Sequence, residues 1–380
     1  MRPLGIYVHF PWCAARCPYC DFAVATDRRI PQARYTRAVL AELALRAPRF
    51  RGFEARTLYL GGGTPSLWDP ERVAEVIAAC RAALALPASA EVTLEANPES
   101  CDAGRLAAYA AAGVNRFSIG VQSFDPRVLA KLGRRHGPDA AERAIRAAAA
   151  ATPNVSVDLI YGARRSSVAT ARADAERLAA LPVTHVSAYA LTLDADVLAV
   201  DVPLARLQRE GRLPLPPEDD VLAQARALRT VLRRAGFRRY EISNFARRGH
   251  ASEHNRIYWD SGSYAGLGVG AYGCLHGSGG AAATRWSNRR SPAEYLDAVE
   301  AGRLPTDAEE TLGARELLEE RVLLALRTRS GLPLAEIPAG RRGEADLLVR
   351  RRLAARLAGR LVLTSRGLDV HTAVAERLVP

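Results

Sequence analysis

A partial (β/α)6 barrel followed by a smaller α+β domain is the α/β architecture this sequence predicts, and three observations carry it. Between Leu4 and Leu193, six short β-branched or apolar runs alternate with helical stretches rich in Ala, Leu and Arg. Such alternation implies a parallel sheet with right-handed crossovers. Residues able to do chemistry recur just past the ends of those runs, where parallel barrels collect their reactive groups. A break at Leu213-Pro214-Leu215-Pro216-Pro217 then ends the pattern, because three prolines cannot sit in a helix interior. The expected domains are therefore 1–212 and 213–380.

Taken in order, the expected strands are Gly5–His9, Thr57–Leu60, Glu91–Ala96, Arg116–Val121, Ser156–Tyr161 and His185–Ala190. Helices are expected near Gln32–Ala47, Pro70–Leu84, Asp102–Ala112, Asp139–Ala150 and Ala169–Ala180. Six units fall short of a closed eight-fold barrel. Beyond the break, Glu218–Ala235 reads as an amphipathic helix with acidic residues at its start. Arg315–Leu326 carries a Leu/Val stripe that belongs in a core. A helix over Leu347–Ala358 and a hairpin over Leu361–Leu368 read as a winged-helix-like ending, expected to pack on the barrel rather than on DNA.

Composition narrows the function classes. Of 380 residues, 25% are charged and 48% hydrophobic, which suits a soluble globular protein. There is no apolar run long enough to span a membrane and no secretory signal pattern, so a cytoplasmic location is expected. The formal charge of +12 comes almost wholly from arginines scattered along Ala-rich helices. That pattern reads as solvated helix faces rather than a nucleic-acid surface, and it remains compatible with anionic small molecules. Six cysteines, three of them clustered, do not form a disulfide framework.

The clustered three are Cys13, Cys17 and Cys20, spaced Cys-x3-Cys-x2-Cys directly after the first strand. Pro11 and Pro18 favour a loop, in which thiolates this close can converge on one soft-metal centre. Three cysteines holding an iron–sulfur cubane leave one iron open to an outside ligand. Zinc would want a fourth Cys or His, for which His9 is awkwardly placed on the preceding strand, and inert thiols are the remaining alternative.

Further motifs follow at successive strand ends. Gly61-Gly62-Gly63-Thr64-Pro65 lets backbone approach a ligand and expose amides, or simply makes a tight turn. Glu95, closing the third strand, is placed to bind ribose hydroxyls if it is more than a solvated carboxylate. Gln122 closes the fourth strand, Arg134 and His136 follow it, and Asp158 lies in the fifth. In Tyr240–Ala246 and then His254-Asn255-Arg256-Ile257-Tyr258-Trp259, a helix would put His254 and Tyr258 on one face. A histidine among aromatics offers an axial ligand and flat walls for a haem. Read from chemistry alone, the same pattern is a core cluster around a satisfied histidine.

Taken together these motifs resemble the radical S-adenosylmethionine (SAM) superfamily, and within it the HemW-type haem chaperones of the oxygen-independent coproporphyrinogen III oxidase-like family. The resemblance runs from Tyr7 to nearly the C-terminus. It implies that Cys13, Cys17 and Cys20 hold a [4Fe-4S] cluster whose open iron SAM chelates. It also implies that Tyr7, Tyr19, Gly62, Gly63, Thr64, Glu95, Gln122, Arg134 and Asp158 line the SAM pocket. Haem near His254 would be carried to an acceptor haemoprotein, one candidate setting being respiratory enzyme assembly. The alternative it leaves open is an oxygen-independent coproporphyrinogen III dehydrogenase. Those oxidases carry a further Cys where this chain has Phe22, and an extension ahead of the cluster.

The chain departs from the family at three places. Ala163-Arg164-Arg165 replaces the usual Leu-Pro, Asp194-Ala195-Asp196-Val197 replaces a Pro-Gly-Thr turn, and Tyr272 stands where a His is common. A homodimer is compatible with these residues.

Overall fold

The computed structural model describes residues 2–194, 198, 200, 202–277 and 279–379. The departure at 195–197 lies outside the described residues. Six parallel strands form the centre: β1 (Arg2–Phe10), β2 (Phe53–Gly62), β3 (Glu91–Ala96), β4 (Arg116–Gln122), β5 (Val155–Tyr161) and β6 (His185–Ala190). They pair in sequence order, each parallel to the next. Their connections carry α1 (Gln32–Arg46), α2 (Pro70–Leu84), α3 (Ala103–Ala112), α4 (Pro126–Lys131), α5 (Pro138–Ala151) and α6 (Val168–Ala179). Every expected strand and helix of this half is present. Two short helices were not foreseen: α4, capped by the Asp125 carboxylate on the Arg127 and Val128 amides, and α7 (Pro203–Arg209).

After α8 (Glu218–Arg234), the chain returns to the same sheet at both edges. β7 (Arg238–Arg239) and β8 (Asn244–Ala246) add antiparallel beyond β6. Then α9 (Glu253–Trp259) crosses beneath the barrel, and β9 (Ser263–Gly268) pairs parallel to β1. β10 (Tyr272–His276), β11 (Ala283–Asn288) and, after α10 (Pro292–Glu300), β12 (Thr306–Leu312) complete a twelve-stranded sheet. Strands β7 to β12, all after the break at 213–217, thus extend the barrel sheet instead of forming one of their own.

A buried ion pair locks this extension to α1. Glu42 and Arg46, both fully buried, meet at 2.8 Å. Glu42 also accepts from Asn288, the Gly268 amide and the Tyr295 hydroxyl, at 2.7–2.8 Å. Buried charges persist only when partnered in this way.

A second apolar core, with Val322, Leu326, Leu348, Leu361 and Leu378 among its members, belongs to the C-terminal segment. It is built by α11 (Ala314–Arg327), β13 (Leu332–Pro333), α12 (Arg342–Arg350), β14 (Ala354–Leu357), β15 (Arg360–Leu363), α13 (Ser365–Asp369) and α14 (His371–Glu376). The three strands pair in the order β13-β15-β14. The helix expected over 347–358 is corrected here: it starts at Arg342, and 354–357 is a strand. Ala358 and Gly359 both have positive φ, 46° and 74°, which makes a tight hairpin turn that an Ala/Leu/Arg-rich sequence disguises. The hairpin therefore lies over 354–363, and residues 365–369 are helical. Among the described residues no helix is long and apolar enough to cross a membrane.

Candidate functional site

The C-terminal ends of the six parallel strands surround a cavity of about 440 Å³. Cys13, Cys17, Cys20, Tyr19, Gly62, Gly63, Thr64, Glu95, Gln122, Arg134 and Asp158 all line it, so sequence stretches up to 145 residues apart meet there.

The cysteine loop leaves β1 and is closed at its base. The Cys13 amide donates to Ala25 O at 2.9 Å, and the Ala25 amide to Pro11 O at 2.8 Å. Trp12, buried, donates its indole N–H to Asp27 at 2.7 Å. Farther along, the Leu204 amide donates to Pro18 O. Pro18 also lies over Gly133, where φ is +68° and a Cβ would come within 2.6 Å of the proline ring. The sulfurs have protein partners too. Thr64 Oγ1 lies 3.4 Å from Cys13 Sγ, and an Arg134 terminal nitrogen 3.5 Å from Cys17 Sγ. Burial raises the thiol pKa of Cys13, and that of Cys20 to about 11. The three side chains share the cavity without already converging as a ligand triad, an arrangement absent among the described residues.

The glycine segment does something other than expose amides. The Gly62 N–H donates to Glu95 at 3.0 Å, Gly63 N–H to Phe10 O and Thr64 N–H to Trp12 O, both at 2.8 Å. Any backbone contact these residues offer a ligand must come from carbonyl oxygens, which suits an ammonium group. Gly63 is required, since a Cβ there would meet the backbone oxygens of Trp12 and Phe10 at 2.8–2.9 Å.

Two half-buried carboxylates, on β3 and β5, line the cavity. Glu95 accepts from the Tyr59 hydroxyl at 2.8 Å as well as from Gly62. Burial, reinforced by Asp158, raises its pKa to about 7. Asp158 is raised by burial to about 6, with hydroxyl contacts and two arginines opposing the rise. Gln122 sits just past a break in the β4–β5 register with φ +68°, an uncommon backbone for a non-glycine residue. Arg134 donates to Asn97 Oδ1 at 2.5 Å and Gly120 O at 3.0 Å. Its Nε is buried with no partner.

These observations test the implied groups. Three partly exposed thiols beside a buried guanidinium with an unfilled donor fit an anionic sulfur cluster. Carbonyl oxygens, two carboxylates and a cavity within the usual small-molecule range fit SAM. Tyr7 does not reach the cavity: its ring stacks behind Tyr59 at 6.1 Å and its hydroxyl bonds His9 at 3.0 Å. His9 is likewise committed, to Tyr7 and to Ala23 O at 2.9 Å, which removes the awkward fourth zinc ligand. His136 is buried, joining Glu99 to Val121 O.

His254 lies at the opposite end of the barrel. It is 1% exposed, with one ring nitrogen 2.7 Å from Thr57 Oγ1 and the other 2.8 Å from the Tyr258 hydroxyl. The Cβ built at Gly5 would lie 3.3 Å from its ring, so it packs near the start of β1, about 17 Å along the strand from Phe10. Both nitrogens are occupied and no face is open, so a haem iron does not fit His254 in this arrangement. The placement is that of a core histidine. Sequence reasoning also missed Tyr59, Asn97, Arg116, Ser118, Ser156 and His185, which line the same cavity. All but Asn97 alternate with core residues on β2, β4, β5 and β6, and that inward period was the available signal.

The model of the radical SAM superfamily matches residues 7–198. The chain is 40% identical to the haem chaperone HemW of Mycobacterium tuberculosis (strain CDC 1551 / Oshkosh), over all of this chain and 95% of that one. It is 38% identical to HemW of Escherichia coli K12, over 72% and 70% of the two chains. It is 40% identical to the mitochondrial radical S-adenosyl methionine domain-containing protein 1 of mouse, over 86% and 74%. Among solved structures, coproporphyrinogen III oxidase (HemN) of E. coli superposes with a TM-score of 0.80 at 20% identity, covering 100% of this chain and 90% of that one.

Proposed function

The chain belongs to the radical SAM superfamily and, within it, to the family of HemW-type haem chaperones, and from that footing we propose that it binds haem and passes it to an acceptor haemoprotein in the cytoplasm while carrying a [4Fe-4S] cluster and SAM. The observation that carries the cofactor half is the shared cavity of Cys13, Cys17, Cys20, Glu95, Asp158 and Arg134. The three cysteines would hold the cluster, with Arg134 offsetting its charge. Glu95 and Asp158 would accept the ribose hydroxyls of SAM, and the Gly62–Thr64 backbone its ammonium group. When bound, the pair supplies one-electron chemistry; the chain's own contribution is to orient and to exclude water.

Support for the haem half is the similarity to HemW chaperones over the whole length, and Phe22 adds to it. Phe22, where the oxidases carry a further Cys, lines the cavity and is 53% exposed. Haem is cargo in this reading, and no ligand to its iron is assigned, because His254 is sealed. The test is anaerobic reconstitution followed by haem addition and then an apo-haemoprotein acceptor. Stoichiometric haem uptake with transfer, and no turnover of coproporphyrinogen III in the presence of SAM, is the expected result. Haem uptake no greater than that of an unrelated basic protein would sink the proposal.

A further inference from the structure

The cavity does not end beneath the cysteines. Along β4 the residues that line it are Arg116, Ser118, Gly120 and Gln122, every second position from one end of the strand to the other. Six residues at the strand rise place Arg116 about 20 Å below Gln122. The floor around Arg116 is polar: Ser118, Ser156, His185, the N-cap Ser252 of α9 and, from the helix itself, Asn255 line it as well.

Arg116 itself is 4% exposed. Among the described residues its guanidinium forms no ion pair or hydrogen bond, and its Nε is buried without a partner. The neighbours have other commitments. Ser156 Oγ is 2.8 Å from one nitrogen of His185, and the Tyr240 hydroxyl is 2.9 Å from the other. Burial first, and Arg116 second, hold His185 in its neutral form. The Ser252 hydroxyl donates to Glu91 at 3.2 Å. Asp158, the carboxylate nearest in kind, is spent two layers up on contacts of 3.3–3.4 Å from Ser118. Asp158 feels Arg116 only through space, so the guanidinium is a buried cation with no bonded counter-charge, and one facing an open cavity invites an anion.

We propose that Arg116 is the anchor of a second ligand subsite at the barrel floor, one that takes a carboxylate group. A guanidinium presents a planar fork matched to the two oxygens of a carboxylate. A single cation balances a single negative charge, whereas a phosphate would bring a second charge into the same compartment as Asp158. The subsite is separate from the place assigned to SAM, whose contacts cluster at the other end of β4. It rests on the proposed cofactor site only for that separation, and haem plays no part in it.

The experiment uses the reconstituted full-length chain under anaerobic conditions and isothermal titration calorimetry, with sodium propionate as the probe and propionamide as its uncharged match at constant ionic strength. The expected result is a preference for propionate of about tenfold or more, a single charge-assisted contact of ordinary strength. That preference persists with SAM saturating, and Arg116→Met brings the two probes level. A preference unchanged in Arg116→Met, or no preference in the wild type, overturns the proposal. Loss of the preference on adding SAM also overturns it, because the carboxylate would then be that of SAM. Should the Met variant not fold, Arg116→Lys keeps the charge but loses the fork; it is expected to reduce the preference severalfold, and an unchanged value counts against the site. Failure of SAM or cluster binding, read separately by absorbance, would bear on the proposed function and leave these outcomes distinct.

Discussion

The imidazole of His254 stacks on the ring of Tyr59, with centroids 5.1 Å apart and 29° between the planes. Tyr59 in turn donates to Glu95 on the cavity wall. His254 is therefore part of the packing beneath the cavity, one aromatic ring removed from its wall. His254→Ala would remove a buried ring and leave Thr57 and Tyr258 without their partner. A destabilisation of about 2–4 kcal/mol is expected, read as a fall in the urea midpoint.

Because His254 is sealed, ligation of haem iron there would require α9 to lift from the barrel. Amide hydrogen exchange over 253–259 is expected to stay unchanged when haem is added. Faster exchange confined to that helix would show that the iron reaches His254 by opening the base.

The three cysteines lie in an anchored, partly exposed loop, so their loss should leave the fold intact. Cys13→Ala, Cys17→Ala or Cys20→Ala is expected to reduce bound iron after reconstitution from about four per chain to background. Cys80→Ala, at a buried thiol within the core, should leave iron content unchanged. Iron analysis and the visible absorbance of the cluster together check both.

Glu95 sets a pH dependence with a definite sign. Burial, then Asp158, raise its pKa from 4.5 to about 7. Between those values the folded chain holds a proton that the unfolded chain has released. Stability of the ligand-free protein from this group is thus greatest at or below about pH 4.5 and falls as pH rises to about 7. Glu95→Gln should be more stable than wild type at pH 8, by on the order of 2–3 kcal/mol, with the difference closing in acid. Urea unfolding at the two pH values is the measurement. SAM affinity should move the other way, rising with pH as the carboxylate ionises to accept hydroxyls, and the Gln variant should flatten that rise.

Asp369, on the last turn of α13, is only 9% exposed at its side chain and meets Arg229 at 2.7 Å, Arg239 at 3.3 Å and Arg226 at 3.7 Å. It joins the C-terminal segment to α8 and β7. Asp369→Asn would leave the arginines facing one another, at a cost of about 3–5 kcal/mol by analogy with other broken buried pairs. Proteolysis of the C-terminal segment is expected to accelerate well before the barrel unfolds. Equal rates in variant and wild type would show that apolar packing alone holds the segment.

What could be read from the residues follows from what is local. The alternation of strand and helix, the Cys13–Cys20 loop, the strand-end position of Glu95 and the place of Asp158 within the fifth strand are encoded in short periods and in proline or glycine placement. These need no knowledge of distant partners. The helix misplaced over 347–358 marks the limit of that reading, since Ala358-Gly359 turns a helix-like composition into a hairpin.

Tertiary structure alone decided the rest, because it depends on pairings remote in sequence. Tyr264 lies against Gly5, so β9 extends the barrel sheet and carries β10 to β12 with it. The same closure presses α9 beneath β1 and β2, turning His254 from a candidate ligand into a satisfied core residue. It also leaves Arg116 facing inward with no bonded counter-charge among the described residues. Local periodicity can say that a residue points into a barrel; only the assembled barrel determines whether a partner waits there.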